Sequence, residues 1–210
     1  STQRSTLFPY TTLFRSHAVL VTDAGAIAGP TTTVDFEAFD GLWTSGPETI
    51  APGVVFTGDT GAQLGANNRD LGDNGLWGAI GNFAAGGVAG ELRFTFTGGL
   101  TSGVGAFVSH YANAALPFDL AVEVSAYGDN NQIIETHSFT VAASSGDYNA
   151  GQFLGITRAE ADIRSVSFKG LGVVADNLVL TTPVPEPGTW ALMLAGLATV
   201  GFLGLRQRLR

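Results

Sequence analysis

Apolar and polar residues alternate one by one in several short segments, and this alternation constrains the fold more than any other feature of the chain. In Glu91–Thr97, the residues Leu92, Phe94 and Phe96 share one face and polar residues share the other, as a half-buried β-strand requires. Residues 118–126 repeat the pattern and lead into a turn of Gly, Asp and Asn residues that tolerate a positive φ angle. Further strands are predicted at residues 32–37, 53–57, 104–109, 132–141, 163–168 and 173–180.

The composition agrees with a turn-rich β protein. Glycine accounts for 29 of the 210 residues and recurs without a Gly-X-Y period, which excludes collagen. Apolar residues make up 45% of the chain and charged residues only 13%, so it can bury a core and is neither a disordered acidic tail nor a coiled coil. We therefore predict an all-β fold, an antiparallel β-sandwich built from short strands.

One segment departs from the strand pattern. Thr157 and Glu160 form a capping box, which predicts a single helical turn. This turn stands among the segments FLGI (153–156), IRSVSF (163–168) and VVADNLVL (173–180), and the order resembles the closing strands of jelly-roll or lectin-like domains. The resemblance implies a jelly-roll-like sandwich and carbohydrate binding.

The balance of charge excludes one class of partner. Ten Lys and Arg residues oppose 18 Asp and Glu residues, which gives a net charge of -8. The basic residues between positions 17 and 182 are few and scattered: Arg69, Arg93, Arg158, Arg164 and Lys169. Binding of DNA or RNA needs clustered cations that neutralise phosphates, so we expect no nucleic acid as a partner. The absence of cysteine excludes disulfides, thiolate catalysis and cysteine-based zinc sites.

The first 16 residues do not follow the pattern of the rest. The segment STLFPYTTLFRS at 5–16 resembles translated sequencing-adapter read-through, and we expect residues 1–16 to be a non-native or disordered arm. The single methionine is Met193, so we expect a fragment or a processed form from which a secretory signal is missing. The sandwich ectodomain is predicted to span residues 17–182.

The residues after the sandwich fall into three parts. Residues 183–189 contain proline at three of their first five positions, and proline cannot continue a helix, so we predict an extended linker. Residues 190–205 carry no charge, and a helix over them spans about 24 Å, close to the roughly 30 Å of a hydrocarbon core. We predict a single transmembrane helix at 190–205 and a basic cytoplasmic tail at 206–210.

The charges at the end of the chain predict its orientation in the membrane. Arg206, Arg208 and Arg210 are costly to translocate and are expected to stay on the cytoplasmic side, while Trp190 lies at the outer interface. This orientation leaves the sandwich outside. The alternative, a buried helix of the soluble domain, fits poorly with an all-apolar segment flanked by prolines and arginines.

Val184, Pro185, Glu186 and Pro187, followed by a short apolar helix and terminal arginines, resemble the PEP-CTERM sorting signal of Gram-negative bacteria that make exopolysaccharide. The resemblance implies recognition and cleavage near the motif by an exosortase, an integral-membrane cysteine transpeptidase. It also implies a transient stay in the inner membrane and delivery to the cell surface or extracellular matrix, where exopolysaccharide is a candidate partner. It covers residues 184–210 and says nothing specific about the others.

Catalytic signatures are absent from the sequence. It has no nucleophile elbow, no HExxH motif and no phosphate-binding loop, and its three histidines are far apart. Glu160 and Asp162 lack the further glutamate of a lectin-fold hydrolase motif. We predict a non-enzymatic surface or matrix protein. The main alternative is a secreted carbohydrate-active enzyme with the same tail, and a third is a permanently anchored structural protein.

Calcium is the one cofactor that the residue types allow, although none is required. Ca²⁺ takes roughly six to eight oxygen ligands, and the resemblance to jelly rolls pairs Asp35 and Glu37 with Asp176. The loop Asn67–Asn74 is a second candidate. Solvated turn residues with ordinary side-chain capping are the alternative for both.

Two tryptophans are candidate ligand-binding residues. Trp43 and Trp77 lie in glycine-rich regions, where an exposed indole stacks on a sugar ring. The alternative is that each indole plugs an open end of the sandwich, because large side chains are mostly buried.

Overall fold

The computed structural model describes residues 18–66, 76–77, 81–88, 90–110, 120–141, 148–149, 151–182 and 195. These residues form sixteen short β-strands and one 3₁₀ turn, Ala24–Ala26. The strands are β1 (Val19–Val21), β2 (Thr31–Val34), β3 (Leu42–Trp43), β4 (Glu48–Ala51), β5 (Val54–Gly58), β6 (Gln63–Ala66), β7 (Leu76–Trp77), β8 (Phe83–Ala85), β9 (Gly90–Phe96), β10 (Gly103–His110), β11 (Leu120–Tyr127), β12 (Ile133–Val141), β13 (Tyr148–Asn149), β14 (Gln152–Thr157), β15 (Ser165–Gly170) and β16 (Val173–Thr181).

The strands form two large antiparallel sheets, which confirms the predicted β-sandwich. The eight-stranded sheet has the order β1-β14-β10-β16-β8-β6-β3, with β2 also paired to β16. The six-stranded sheet has the order β12-β11-β15-β9-β5-β4. The short strands β7 and β13 pair in parallel.

The core lies between the two sheets and is centred on phenylalanine side chains. The ring of Phe94 lies 5.9 Å from that of Phe36, 5.7 Å from that of Phe56 and 6.3 Å from that of Phe168, centroid to centroid. All four are fully buried. Each such burial contributes roughly 1.5–3 kcal/mol, so the alternation in β9 that indicated a strand also fixes which face of the sheet turns inward.

Two elements predicted from the sequence differ from the structure. The strand predicted at 32–37 stops at Val34, because Phe36 adopts a φ of 59° and turns the chain out of the sheet. The helical turn predicted at Thr157–Glu160 is wrong. Thr157 is the last residue of β14, where its hydroxyl donates to the Val19 carbonyl over 3.3 Å, and bends follow it.

The C-terminal part of the chain is described only at one residue. Among the described residues, no helix is long and apolar enough to cross a membrane. The predicted linker, transmembrane helix and basic tail, residues 183–210, lie outside the described residues except for Ala195.

Candidate functional site

The face of the six-stranded sheet that points away from the core is polar, and the strand register arranges its side chains in rows. We call it the outer face. Glu91 on β9 is directly opposite Lys169 on β15, and Lys169 is directly opposite Glu123 on β11. Ser138 on β12 continues this row beyond Glu123. The row therefore crosses four strands and alternates acid, base, acid and hydroxyl.

This row lies along an open groove of about 400 Å³, which we call the outer groove. Its lining residues are Gly90, Ala121, Glu123, Ser138, Lys169, Gly170 and Leu171. Gly90 and Gly170 are paired across β9 and β15, and both line the groove. The groove is thus lined by main-chain atoms and by charged and hydroxyl side chains.

Among the described residues, the charged side chains of the row are in no ion pair. The ion pairs there link Arg158 with Asp162 and Arg164 with Asp129, His137 lies 3.0 Å from a Glu135 carboxylate oxygen, and no such contact includes Lys169. The carboxylate of Glu123 accepts a 3.3 Å hydrogen bond from the Ser125 hydroxyl, which leaves further acceptor capacity. Lys169 and Glu123 are both exposed to solvent.

A second row of the outer face is internally bonded and rigid. The guanidinium of Arg93 stacks on the ring of Tyr127, and its Nη2 donates to the Ser165 hydroxyl at 2.8 Å and to the Asn131 side-chain oxygen. The Tyr127 hydroxyl lies 3.2 Å from that of Ser167. These contacts join β9, β15 and β11 across the face, so the neighbouring groove has a stiff support.

A smaller cleft of about 250 Å³ continues the outer face beyond β9 and is lined by Thr57, Gly58, Asp59, Glu91 and Arg93. Asp59 organises this end, since its Oδ1 accepts from the amides of Gly87 at 3.0 Å and Glu91 at 3.2 Å. Glu91 lines this cleft, and its partner across the strands, Lys169, lines the outer groove.

The structure brings the predicted calcium ligands into electrostatic range of one another. Burial raises the pKa of Asp176 to about 6; the Asn177 amide opposes this rise, and the charges of Glu37 and Asp35 add to it. Asn177 donates from its backbone amide to Asp176 Oδ1 at 2.6 Å. Within the described ranges, no three His, Asp or Glu side chains are grouped to hold a metal ion. The calcium site stays a prediction, and most of the second candidate loop, residues 67–74, lies outside those ranges.

The two predicted aromatic sites differ in what is known of them. Trp43 lies on β3 at one edge of the eight-stranded sheet, and its side chain is 67% exposed, with Leu42 beside it 41% exposed. The indole of Trp43 is therefore available to a ligand. Trp77 lies on β7, and its side chain falls outside the described part of the structure.

The outer groove was not among the sequence-predicted sites. Glu91 and Glu123 were recognisable as polar residues on strand faces. Their approach to Lys169 depends on the order β11-β15-β9, which joins strands far apart in sequence. The alternation of each strand indicated which side chains point outward, and only the pairing shows which ones meet.

Similar solved structures include an adhesin domain and a carbohydrate-binding module. The K2 cleaved adhesin domain of Lys-gingipain aligns with 79% of this chain and 100% of its own, at 11% identity and a TM-score of 0.36. A family 11 carbohydrate-binding module from Clostridium thermocellum, in complex with a β-1,3-1,4-mixed-linked tetrasaccharide, aligns with 76% of this chain and 99% of its own, at 12% identity and a TM-score of 0.32. At these TM-scores neither alignment assigns an activity to this chain.

Comparison with curated proteins finds no match. The family comparison does identify the tail: residues 183–208 match the PEP-CTERM protein-sorting motif. This match contains the predicted motif residues Val184, Pro185, Glu186 and Pro187 and confirms the resemblance drawn from them. The chain thus carries a PEP-CTERM sorting motif, which indicates an exported protein.

Proposed function

We propose that this chain is a non-enzymatic protein of the cell surface or extracellular matrix that is held briefly in the inner membrane and then released by exosortase. The observation that carries the proposal is the match of residues 183–208 to the PEP-CTERM motif. In this proposal the apolar segment 190–205 holds the chain in the membrane, and the terminal arginines keep its end in the cytoplasm. The prolines of 183–189 keep the recognition segment extended and accessible to the enzyme.

We further propose that the exported sandwich associates with exopolysaccharide. Support comes from the exposed Lys169 and Glu123 side chains of the outer face and from the exposed indole of Trp43. Hydroxyl, carboxylate and ammonium groups on a rigid sheet suit a ligand rich in hydroxyl groups, and an exposed indole suits the apolar face of a sugar ring.

The export proposal is tested by fractionating cells with and without the exosortase and measuring the size of the product. We expect a shortened product at the surface or in the matrix of normal cells, and a full-length product in the inner membrane of exosortase-deficient cells. The triple variant Pro185→Ala, Glu186→Ala, Pro187→Ala should behave as in deficient cells, whereas Thr182→Ala, just before the motif, should be processed normally.

An intact C-terminal segment on all of the surface protein would contradict processing and would favour the permanently anchored alternative. The enzymatic alternative has its own signature. Hydrolysis of a polysaccharide by the purified protein, lost on substitution of a single Glu or Asp, would replace the non-enzymatic proposal.

A further inference from the structure

We propose that the outer groove is a binding site for a single uncharged polysaccharide chain that runs across the strands of the six-stranded sheet. In assigning this site we rely on the proposed function, which brings the exported protein to polysaccharide. The proposal adds where the polymer binds and which class of polymer is bound.

The direction of the ligand follows from the register. Glu91, Lys169, Glu123 and Ser138 occupy successive strands at one level of the sheet. Neighbouring strands are about 4.8 Å apart, so these four positions span about 14 Å perpendicular to the strands. A polymer lying along the row meets a new polar group at each strand, at a spacing comparable with the length of a pyranose residue.

The row contains both donors and acceptors for hydrogen bonds to sugar hydroxyls. Lys169 has three ammonium donors, and none of them is engaged in an ion pair within the described part of the chain. The carboxylates of Glu91 and Glu123 on either side are acceptors. Since a hydroxyl is both donor and acceptor, adjacent hydroxyls of one sugar can bond to the ammonium and to a carboxylate together. Hydrogen bonds to charged groups are stronger than those between neutral groups.

The charges select against an anionic polymer. Two carboxylates flank a single ammonium in the row, Asp59 lies in the adjoining cleft, and the whole chain has a net charge of -8. A polyanion such as a uronic acid polymer is therefore repelled, and an uncharged polymer avoids this repulsion.

The shape of the groove fits a thin chain. Gly90 and Gly170 line the groove with main-chain atoms, and Leu171, which is 41% exposed, offers an apolar contact for the C–H face of a sugar ring. Because the polar groups stand on paired strands, little backbone conformational entropy is lost when they bind.

Affinity electrophoresis of the full chain in mild detergent tests the site. The gels contain hydroxyethylcellulose, dextran, galactomannan or the neutral polysaccharide fraction of the producing cells, with alginate as the charged comparison. We expect retardation in at least one neutral gel and none in alginate. Lys169→Ala and Glu123→Gln should each weaken the interaction about tenfold, which is the loss of one hydrogen bond to a charged group.

The matched control is Glu160→Gln, which removes one exposed carboxylate from the bend after β14, outside the groove, and should change the affinity less than twofold. Unchanged thermal unfolding of each variant establishes that its fold is retained. The site is overturned by full retention in both groove variants, by equal weakening in the control, or by alginate binding as tight as that of the neutral polymers. Loss of retention with Trp43→Ala alone, or absence of retention in every neutral gel, overturns it as well.

Failure of this site is distinguishable from failure of the proposed function. A chain that binds a neutral polymer through Lys169 but is neither exported nor shortened in the fractionation experiment contradicts only the export proposal. A chain that is exported and shortened but shows none of the expected retention contradicts only the groove.

Discussion

The guanidinium carbon of Arg93 lies 4.0 Å from the centroid of the Tyr127 ring. The two residues belong to β9 and β11, which are separated in the sheet by β15. Arg93 also donates to Ser165 on that intervening strand, from Nε at 3.2 Å and from Nη2 at 2.8 Å. The Arg93 side chain therefore links the three strands β9, β15 and β11 of the outer face.

Replacing Arg93 with lysine tests how much these contacts contribute to the free energy of unfolding. Lysine keeps the charge but cannot stack a planar group on Tyr127 and donate to Ser165 at the same time, so Arg93→Lys should lower the free energy of unfolding by about 1–2 kcal/mol. The control Tyr127→Phe keeps the ring and loses only the hydroxyl near Ser167, and should cost less than about 1 kcal/mol. Urea denaturation measures both, and equal losses would contradict the stacking role.

Gly65 in β6 is predicted to be irreplaceable. Its φ is 70°, and a Cβ atom there would lie 2.2 Å from the Phe39 carbonyl oxygen. Gly65→Ala combines backbone strain with a clash against main chain, so we expect a loss of about 3 kcal/mol or more. In Gly98→Ala, the nearest atom to the new Cβ is Gly53 Cα at 3.6 Å, an ordinary contact. The denaturant midpoint of Gly65→Ala should therefore be clearly lower than that of Gly98→Ala. Similar midpoints would contradict the predicted clash at Gly65.

Asp176 should make stability depend on pH in the acidic range. Its pKa is about 6 in the folded protein against an ordinary value of 3.8, so the folded state binds more protons than the unfolded state between these values. The contribution of this group is fully present below about pH 4 and is lost as the pH rises through about 6. Asp176→Asn keeps the acceptor for the Asn177 amide and removes the titration.

We therefore expect Asp176→Asn to gain about 1 kcal/mol over the native protein between pH 4 and pH 7, a value reduced for partial exposure to solvent. Chemical unfolding over this pH range in the presence of a chelator measures the gain. Parallel pH profiles for the two proteins would show that the group titrates normally. Added calcium then tests the predicted metal site, since a rise in Tm that depends on Asp176 would support it.

Trp43 should be nearly neutral for stability. Its side chain is 67% exposed, and surface substitutions of this kind usually change the free energy of unfolding by less than about 0.5 kcal/mol. Trp43→Ala should therefore leave the denaturation midpoint in place. A loss above about 1 kcal/mol would mean that the indole plugs the sandwich, which is the alternative raised by the sequence.

The strands that could be predicted are those with strict alternation. Residues 91–97 and 118–126 correspond to β9, Gly90–Phe96, and β11, Leu120–Tyr127, because a buried face and a solvated face leave a period of two in the sequence. Short strands such as β3, Leu42–Trp43, and β8, Phe83–Ala85, carry too few residues to show any period. Their strand conformation depends on pairing with the neighbouring strands of the sheet.

The capping box at Thr157–Glu160 shows how tertiary structure overrides a local signal. The same four residues can open a helix in isolation. In the folded chain Thr157 pairs with Gly103 and Val19 on the two neighbouring strands, and Arg158 bonds Asp162 through Nε at 2.9 Å. Strand pairing on both sides outweighs a single turn, which has little stability of its own.

The fold class and the sorting motif could be predicted from the amino-acid sequence, because both depend on residues that are close together in the chain: alternation within a strand, and a proline segment followed by an apolar run and arginines. The pairing of strands was needed to show that Glu91, Lys169 and Glu123 form one row and that burial raises the pKa of Asp176. Those contacts join positions far apart in the chain, and they depend on which strands pair and in what register. Local patterns record which way a side chain points but not which side chain it meets.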